Sequence, residues 1–162
     1  LDGGPCENGL ESTIIDCSGA VPVLLRPGGI SRKAIETALH SAGLDCPLRD
    51  ADALSNNDQP MAPGQLQSHY APDASVRLNA TFQQGSEELI GFGPVPGAGQ
   101  LCLSLSPAGN IREAAANLFA MLHQADAVTT GTKRKIAIAP IPKVGIGEAI
   151  NDRLQRAAAP RN

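Results

Sequence analysis

Apolar positions in this chain follow a strand-like rhythm at the start, lapse in the middle, and return with a helical spacing towards the end. Two β-branched runs, residues 11–16 and 22–26, flank a turn-prone segment, 17–21, with Ser18 and Gly19 at its centre. That arrangement predicts an antiparallel hairpin. Side chains alternate faces along a strand, so Ser12, Ile14 and Asp16 share one side, as do Pro22, Leu24 and Arg26. A turn centred on Gly19, with no bulge, places Ser12 opposite Arg26. Ser31 then N-caps a helix in which Ile35 and Leu39 fall on one face, and Gly43 stops it. Val23, Leu25, Ile35 and Leu39 need a partner sheet to bury their apolar surface.

Residues 46 to about 74 are different. Pro47, Pro60, Pro63 and Pro72, with Asn56, Asn57, Asp58 and Gly64, leave no room for a long helix or strand. Structureless stretches beyond about 12–15 residues are uncommon in compact domains and are usually functional or disordered. Thirty extended residues span on the order of 100 Å, so this linker is long enough to fold back over a site far from its own ends. From Ser75 the pattern becomes regular, with short strands at 75–79, 88–91 and 101–104. A helix follows from Asn110, its N-cap, to about Gln124, carrying Ala115, Leu118, Phe119 and Leu122 as a buried stripe. A strand of alternating Ile and Ala at 135–139 and a last helix from about Gly147 to Ala158 complete the chain. Strand, helix, strand, helix is the order of a parallel α/β sheet, and the fold class is α/β.

A length of 162 residues suits one domain or two small ones, and 42% hydrophobic residues supply a core. Aromatics make up only 2%, so that core is built from Ala, Val, Ile and Leu. A net charge of −3 carries no electrostatic footprint for nucleic acid, and the basic cluster at 133–135 reads as a solvated loop. No apolar run approaches the eighteen or so residues that span a bilayer, and no signal peptide is seen, so a soluble, cytoplasmic protein is expected. Cys6, Cys17, Cys46 and Cys102 form no C-x-x-C pair and do not cluster with His40, His69 or His123. Reduced thiols and no metal site are the expectation. The chain lacks an initiator methionine and opens at Leu1-Asp2-Gly3-Gly4, which reads as the middle of a domain and suggests the C-terminal portion of a longer protein.

Candidate chemistry begins at the hairpin. A hydroxyl and a guanidinium side by side on one sheet face suit a carboxylate or phosphate, because arginine's fork grips two anionic oxygens. The alternative is an ordinary hairpin whose arginine is solvated or paired with Glu11 or Asp16. Tyr70, the single tyrosine, sits in the linker beside His69 and two residues before Pro72; it either docks the linker to a neighbouring domain or closes a site. The glycine-rich stretch 91–99 lacks the G-K-[ST] ending of a phosphate loop and is followed by a strand, so it reads as a flexible turn. Gly145-Ile146-Gly147 joins a strand to a helix, where free amides could bind phosphate, but Ile150 replaces the third glycine of the dinucleotide fingerprint. Glu148 offsets that positive end, and a structural turn is preferred. Asn151, Asp152 and Arg153 read as solvated or cap-like, with no role assigned.

Resemblance adds to this picture. The run G-x-E-S-T-x-x-D from Gly9 to Asp16, followed by L-R-P-G at residues 25–28, resembles the late part of the YrdC-type catalytic domain of the threonylcarbamoyl-AMP synthases. APGQLQSHYAP, residues 62–72, is similar to that family's linker motif, although Gln65 and Ser68 depart from the usual methionine and basic residue. KVGIGEAINDRLQRAA, residues 143–158, resembles the close of the small C-terminal domain of its two-domain members.

The resemblance implies three parts. Residues 1–45 would be the end of the YrdC-type α/β catalytic domain, 46–74 the linker with its HYAP motif, and 75–162 a small Rossmann-like parallel-sheet domain. It implies a nucleotidyltransferase that converts L-threonine, bicarbonate and ATP to threonylcarbamoyl-adenylate and pyrophosphate. The product would pass to a tRNA-modifying complex that makes threonylcarbamoyladenosine. Ser12 would bind L-threonine, Arg26 and Tyr70 would bind ATP, and His69 would act as a hydrogen-bonding anchor. No catalytic residue and no metal ligand is assigned, although Mg2+ would accompany ATP. The family's upstream basic and serine–asparagine motifs are absent from this chain, so by itself it is expected to be inactive. Two alternatives are a non-catalytic nucleotide-sensing or docking module and a carbamoyl-transfer accessory protein of related fold.

Overall fold

The structure is a computed structural model and describes residues 9–51, 63, 70–95 and 103–160. Strand β1 (Ile14–Asp16) and strand β2 (Val23–Arg26) form the expected antiparallel hairpin. Its register differs from the simple expectation. Arg26 faces Ile14 rather than Ser12, and between Ile14 and Ile15 the partner on β2 jumps from Arg26 to Leu24. One extra residue on β2 makes a bulge, which changes which side chains share a face. Ile15, not Ile14, therefore joins Leu24 on the buried side, where Ile35, Leu39 and Leu48 meet them.

Helix α1 (Arg32–Ser41) starts where expected, with the Ser31 hydroxyl accepting from the Ala34 amide at 3.3 Å. Gly43, at a φ of 78°, lies just past its end, in the left-handed conformation that closes many helices. Only Ile35 of this helix is buried; Leu39 packs beside it, and Arg32 in the first turn donates to the Leu48 carbonyl at 3.0 Å. Leu48 and the two-residue strand β3 (Arg49–Asp50), parallel to β2, extend the sheet into the proline-rich stretch.

Beyond Tyr70 the chain builds a second sheet from β4 (Val76–Arg77), β5 (Glu88–Phe92), β6 (Leu103–Ser106) and β7 (Ile136–Ile138). Its order is β4-β7-β5-β6 and every neighbouring pair is parallel, as the alternation of strands and helices predicted. Helix α2 (Ile111–Thr129) follows β6 and runs five residues beyond the expected end at Gln124. Ala125, which is buried, carries it on, and the Thr129 hydroxyl bonds back to the Ala125 carbonyl. Helix α3 (Ile146–Ala157) closes the unit.

Ile90, Leu105, Ile136 and Ile138 of the sheet pack with Leu118, Leu122, Ile150 and Leu154 of the two helices. Burying one such aliphatic side chain stabilises by about 1.5–3 kcal/mol, so this contact dominates the stability of the unit. The second buried cluster on this sheet is thinner, with Leu89 and Ala137 meeting Ala80 and Val95. No helix among the described residues is long and apolar enough to cross a membrane. Cys17 and Cys46 are free thiols; Cys6 and Cys102 lie outside the described residues.

Candidate functional site

Ser12 and Arg26 meet, though by reach rather than by register. Arg26 projects from the end of β2, and its guanidinium extends along the hairpin to the residue two before its cross-strand partner. Nε donates to the Ser12 carbonyl at 3.1 Å and Nη2 to the Ser12 hydroxyl at 3.3 Å. Nη1 donates to the carbonyl of Pro63 in the linker at 3.0 Å. Arg26 is only 8% exposed, which removes the solvated alternative. Glu11 and Asp16 have other partners, Asp16 accepting from the Ser18 amide at 2.8 Å. Among the described residues Arg26 therefore forms no ion pair, and the acceptors it meets there are all neutral. Each terminal nitrogen keeps one N–H without a partner among those residues. A buried cation held by neutral groups is expensive unless an anion joins it, which suits this position to anionic oxygens.

Gly28 lets the two hairpin segments close on one another. A Cβ there would stand 2.4 Å from the Thr13 amide nitrogen and 2.5 Å from the Glu11 carbonyl oxygen. Pro27 and Gly28 therefore run directly beside residues 11–13.

Tyr70 returns from the linker to the same place. Its hydroxyl donates to Oε1 of Glu11, the residue before Ser12. Its ring lies 5.1 Å from that of Phe119 on α2, tilted by 32°. The Arg153 Cζ sits 5.7 Å from the ring centroid. Tyr70 thus docks the linker end onto the second sheet's core while touching the hairpin. Burial first, and then the hydrogen bond to Glu11, push its phenol above the ordinary value. His69 lies outside the described residues.

Arg153 overturns the expectation of a solvated helix residue. It has no exposed surface and is the largest fully buried side chain described. Nε donates to Oε2 of Glu11 at 2.9 Å, Nη2 to the Pro27 carbonyl at 3.1 Å, and Nη1 to Asp152. Asp152 in turn takes Arg156 at 2.9 Å, while Asn151 bonds the Gly147 carbonyl at 2.7 Å. Burial pushes the Glu11 carboxyl up, but the hydrogen bonds from Tyr70 and Arg153 outweigh it and hold it below the ordinary glutamate value. Two residues were thus missed by sequence reasoning. The signal for Arg153 was its place on the apolar stripe of α3, three residues after Ile150 and four before Ala157. Glu11 stood inside the motif itself.

The remaining sequence candidates stay structural. The Gly147 and Glu148 amides already donate to the carbonyls of Val144 and Gly145. A Cβ on Gly147 would lie 1.9 Å from the Pro142 carbonyl oxygen, so close packing explains that glycine. Glu148 is bound by Arg32 at 2.9 Å. The last four residues of the glycine-rich stretch, 96–99, lie outside the described residues. Among the described residues no cluster of three His, Cys, Asp or Glu could hold a metal ion.

The profile of the family described as "Threonylcarbamoyl-AMP synthase, C-terminal domain" matches residues 30–159. The chain belongs to that family. Curated threonylcarbamoyl-AMP synthases from Bacillus subtilis and Pyrococcus abyssi are 32% and 30% identical to it, each over 99% of the chain. The chain spans 49% of the length of both relatives. The crystal structure of P. abyssi Sua5 complexed with L-threonine superposes with a TM-score of 0.75 at 29% identity, covering 97% of this chain and 48% of that one. A variant of the same archaeal protein, with a histidine and the following tyrosine replaced by alanine, gives a TM-score of 0.71 at 28% identity, covering 97% and 47%. The family match begins at residue 30, between the hairpin and helix α1, and continues through both helices of the second sheet.

Proposed function

We propose that this chain forms the C-terminal part of a threonylcarbamoyl-AMP synthase, which turns L-threonine, bicarbonate and ATP into threonylcarbamoyl-adenylate and pyrophosphate. The adenylate then serves a tRNA-modifying complex in the cytoplasm. The observation that carries this assignment is the Ser12–Arg26 pair, a buried guanidinium with neutral acceptors beside an exposed hydroxyl. Family membership and the likeness to a relative complexed with L-threonine support it.

Threonine's amine takes up CO2 as a carbamate, whose oxygen attacks the α-phosphorus of ATP and expels pyrophosphate. Such transfers need positioning and positive charge facing the developing anion more than covalent help. Arg26 supplies that charge through the N–H on each terminal nitrogen that the described residues leave open. Ser12 hydrogen-bonds L-threonine. Tyr70 covers the nucleotide from the end of the linker. Magnesium would accompany ATP, bound to its phosphates.

The test compares the 162-residue chain with the same chain joined behind the part of the B. subtilis relative that it does not span. Both are incubated with ATP, L-threonine and bicarbonate, and threonylcarbamoyl-adenylate is measured by mass spectrometry. The joined protein is expected to make product and the chain alone none. Product from the chain alone overturns its expected incompetence, and a folded joined protein without product removes the enzyme assignment.

A further inference from the structure

We infer that Arg153, on the last helix, is a positioning residue that sets Ser12, Arg26 and Tyr70 relative to one another. The inference rests on the assignment of the Ser12–Arg26 pair as a substrate-binding wall. Its first ground is where the guanidinium reaches. Glu11 immediately precedes Ser12, and Pro27 immediately follows Arg26; Arg153 holds both, at 2.9 and 3.1 Å. One side chain thus grips the Glu11 carboxylate on one side of the pair and the Pro27 backbone carbonyl on the other. Each contact therefore acts one residue away from a candidate binding side chain.

The second ground is that the same guanidinium lies against the Tyr70 ring, and the same Glu11 carboxylate takes the Tyr70 hydroxyl. The hairpin, the linker end and helix α3 therefore share one junction. Arg153, Glu11 and Tyr70 each touch the other two, and Arg153 alone of the three also binds the Pro27 carbonyl.

The third ground is energetic. Arg153 occupies the apolar stripe of α3 between Ile150 and Ala157, a position whose neighbours along the stripe are aliphatic. Taking a charge out of water is costly, and the attraction within a buried ion pair does little more than offset that cost. Glu11 and Asp152 balance the charge, and the planar fork aims its donors at acceptors in separate segments. Lysine, a point charge on a flexible stem, offers no such fixed directions. What the buried arginine contributes is geometry rather than stability.

The test uses Arg153→Met, which keeps volume and removes every donor, with Arg153→Lys beside it. In the 162-residue Arg153→Met chain, amide exchange at Ser12, Thr13 and Gly28 is expected to quicken about tenfold, while Leu89 and Ala137 of the second sheet stay within about twofold of wild type. Acrylamide quenching of the single tyrosine should rise about twofold as its ring loses the covering guanidinium. In the joined protein, KM for L-threonine and for ATP should each rise about tenfold with kcat within about threefold, whereas mere loss of folded protein lowers kcat at constant KM. Arg153→Lys should fall between. If Arg153→Met fails to fold, Glu11→Gln opens the same junction from the hairpin side and must loosen Ser12 and Gly28 alike.

Exchange at Ser12 and Gly28 unchanged in a folded variant overturns the positioning role, whatever the assay gives. Loosening there, combined with a wild-type joined protein that makes no product, sinks the synthase assignment and leaves the junction standing.

Discussion

Arg153 and Glu11 stand 142 positions apart and meet at 2.9 Å, the arginine wholly buried and the carboxylate half-buried. Their contact ties helix α3 to the approach of strand β1. It also places the end of the linker, through Tyr70, between them. Removing one partner of such a pair is far costlier than its net worth, because the other charge is left buried.

The phenol and the ring of Tyr70 do different work, and two substitutions separate them. Tyr70→Phe keeps the ring against Phe119 and Arg153 but leaves Glu11 without one donor, which should cost about 1–2 kcal/mol. Tyr70→Ala also loses the ring contacts and should cost about 1–2 kcal/mol more. Urea denaturation followed by circular dichroism measures both. Equal losses would mean that the ring contributes nothing where it docks.

Acid stability should depend on Glu11. Its carboxyl is held below the ordinary value in the folded chain, so its contribution is present above the unfolded value and disappears as pH falls through the folded one. Glu87, lowered chiefly by its hydrogen bond from Arg77, acts in the same direction. Glu11→Gln should therefore flatten part of the fall in urea midpoint on the acid side. An unchanged acid profile would dissociate Glu11 from the pair.

At the alkaline end the sign reverses. The Tyr70 phenol is raised, so its contribution is complete below the ordinary phenol value of about 10 and is lost as pH rises through the folded one. Tyr70 is the single tyrosine, so the chain's phenolate absorbance reports it alone. The midpoint should lie above that of the urea-unfolded chain. Coincident midpoints would place the phenol in water.

Gly28 and Gly147 should resist substitution. A Cβ on Gly147 meets the Pro142 carbonyl oxygen at 1.9 Å, and one on Gly28 meets three backbone atoms within 2.6 Å. Each Gly→Ala change should cost about 1–3 kcal/mol or more, since backbone must move. Gly19, whose nearest neighbour would be the Val21 carbonyl oxygen at 3.9 Å, is the control, with an expected change within about 0.5 kcal/mol. Thermal melts of the three variants decide it.

Arg26→Lys in the joined protein keeps a charge but loses the fork that spans Ser12 and Pro63. KM for ATP should rise about tenfold, and KM for L-threonine less. If ATP binding is untouched, the guanidinium serves only to close the hairpin.

Helix α1, with Ser31 at its start and Gly43 past its end, was legible because capping is a local matter. The same holds for Asn110 and α2, whose first amides bond to the asparagine side chain at 2.9 and 3.2 Å. The parallel sheet followed from the alternation of strand and helix, since parallel neighbours need long crossovers. The hairpin register was not legible. A single bulged residue shifts every partner beyond it, and nothing in the alternation marks where it falls.

Local order and periodicity thus settled the kind of element at each place, the α/β class, and the presence of a serine and an arginine on one hairpin. These depend on neighbours a few positions away, whose physics a single chain segment carries complete. Folding alone decided that Arg153 is buried, that it grips Glu11 and Pro27, and that Tyr70 closes the junction between them. A guanidinium on an amphipathic helix looks the same in sequence whether water or a distant carboxylate satisfies it. Only the packing of α3 against the hairpin makes the choice.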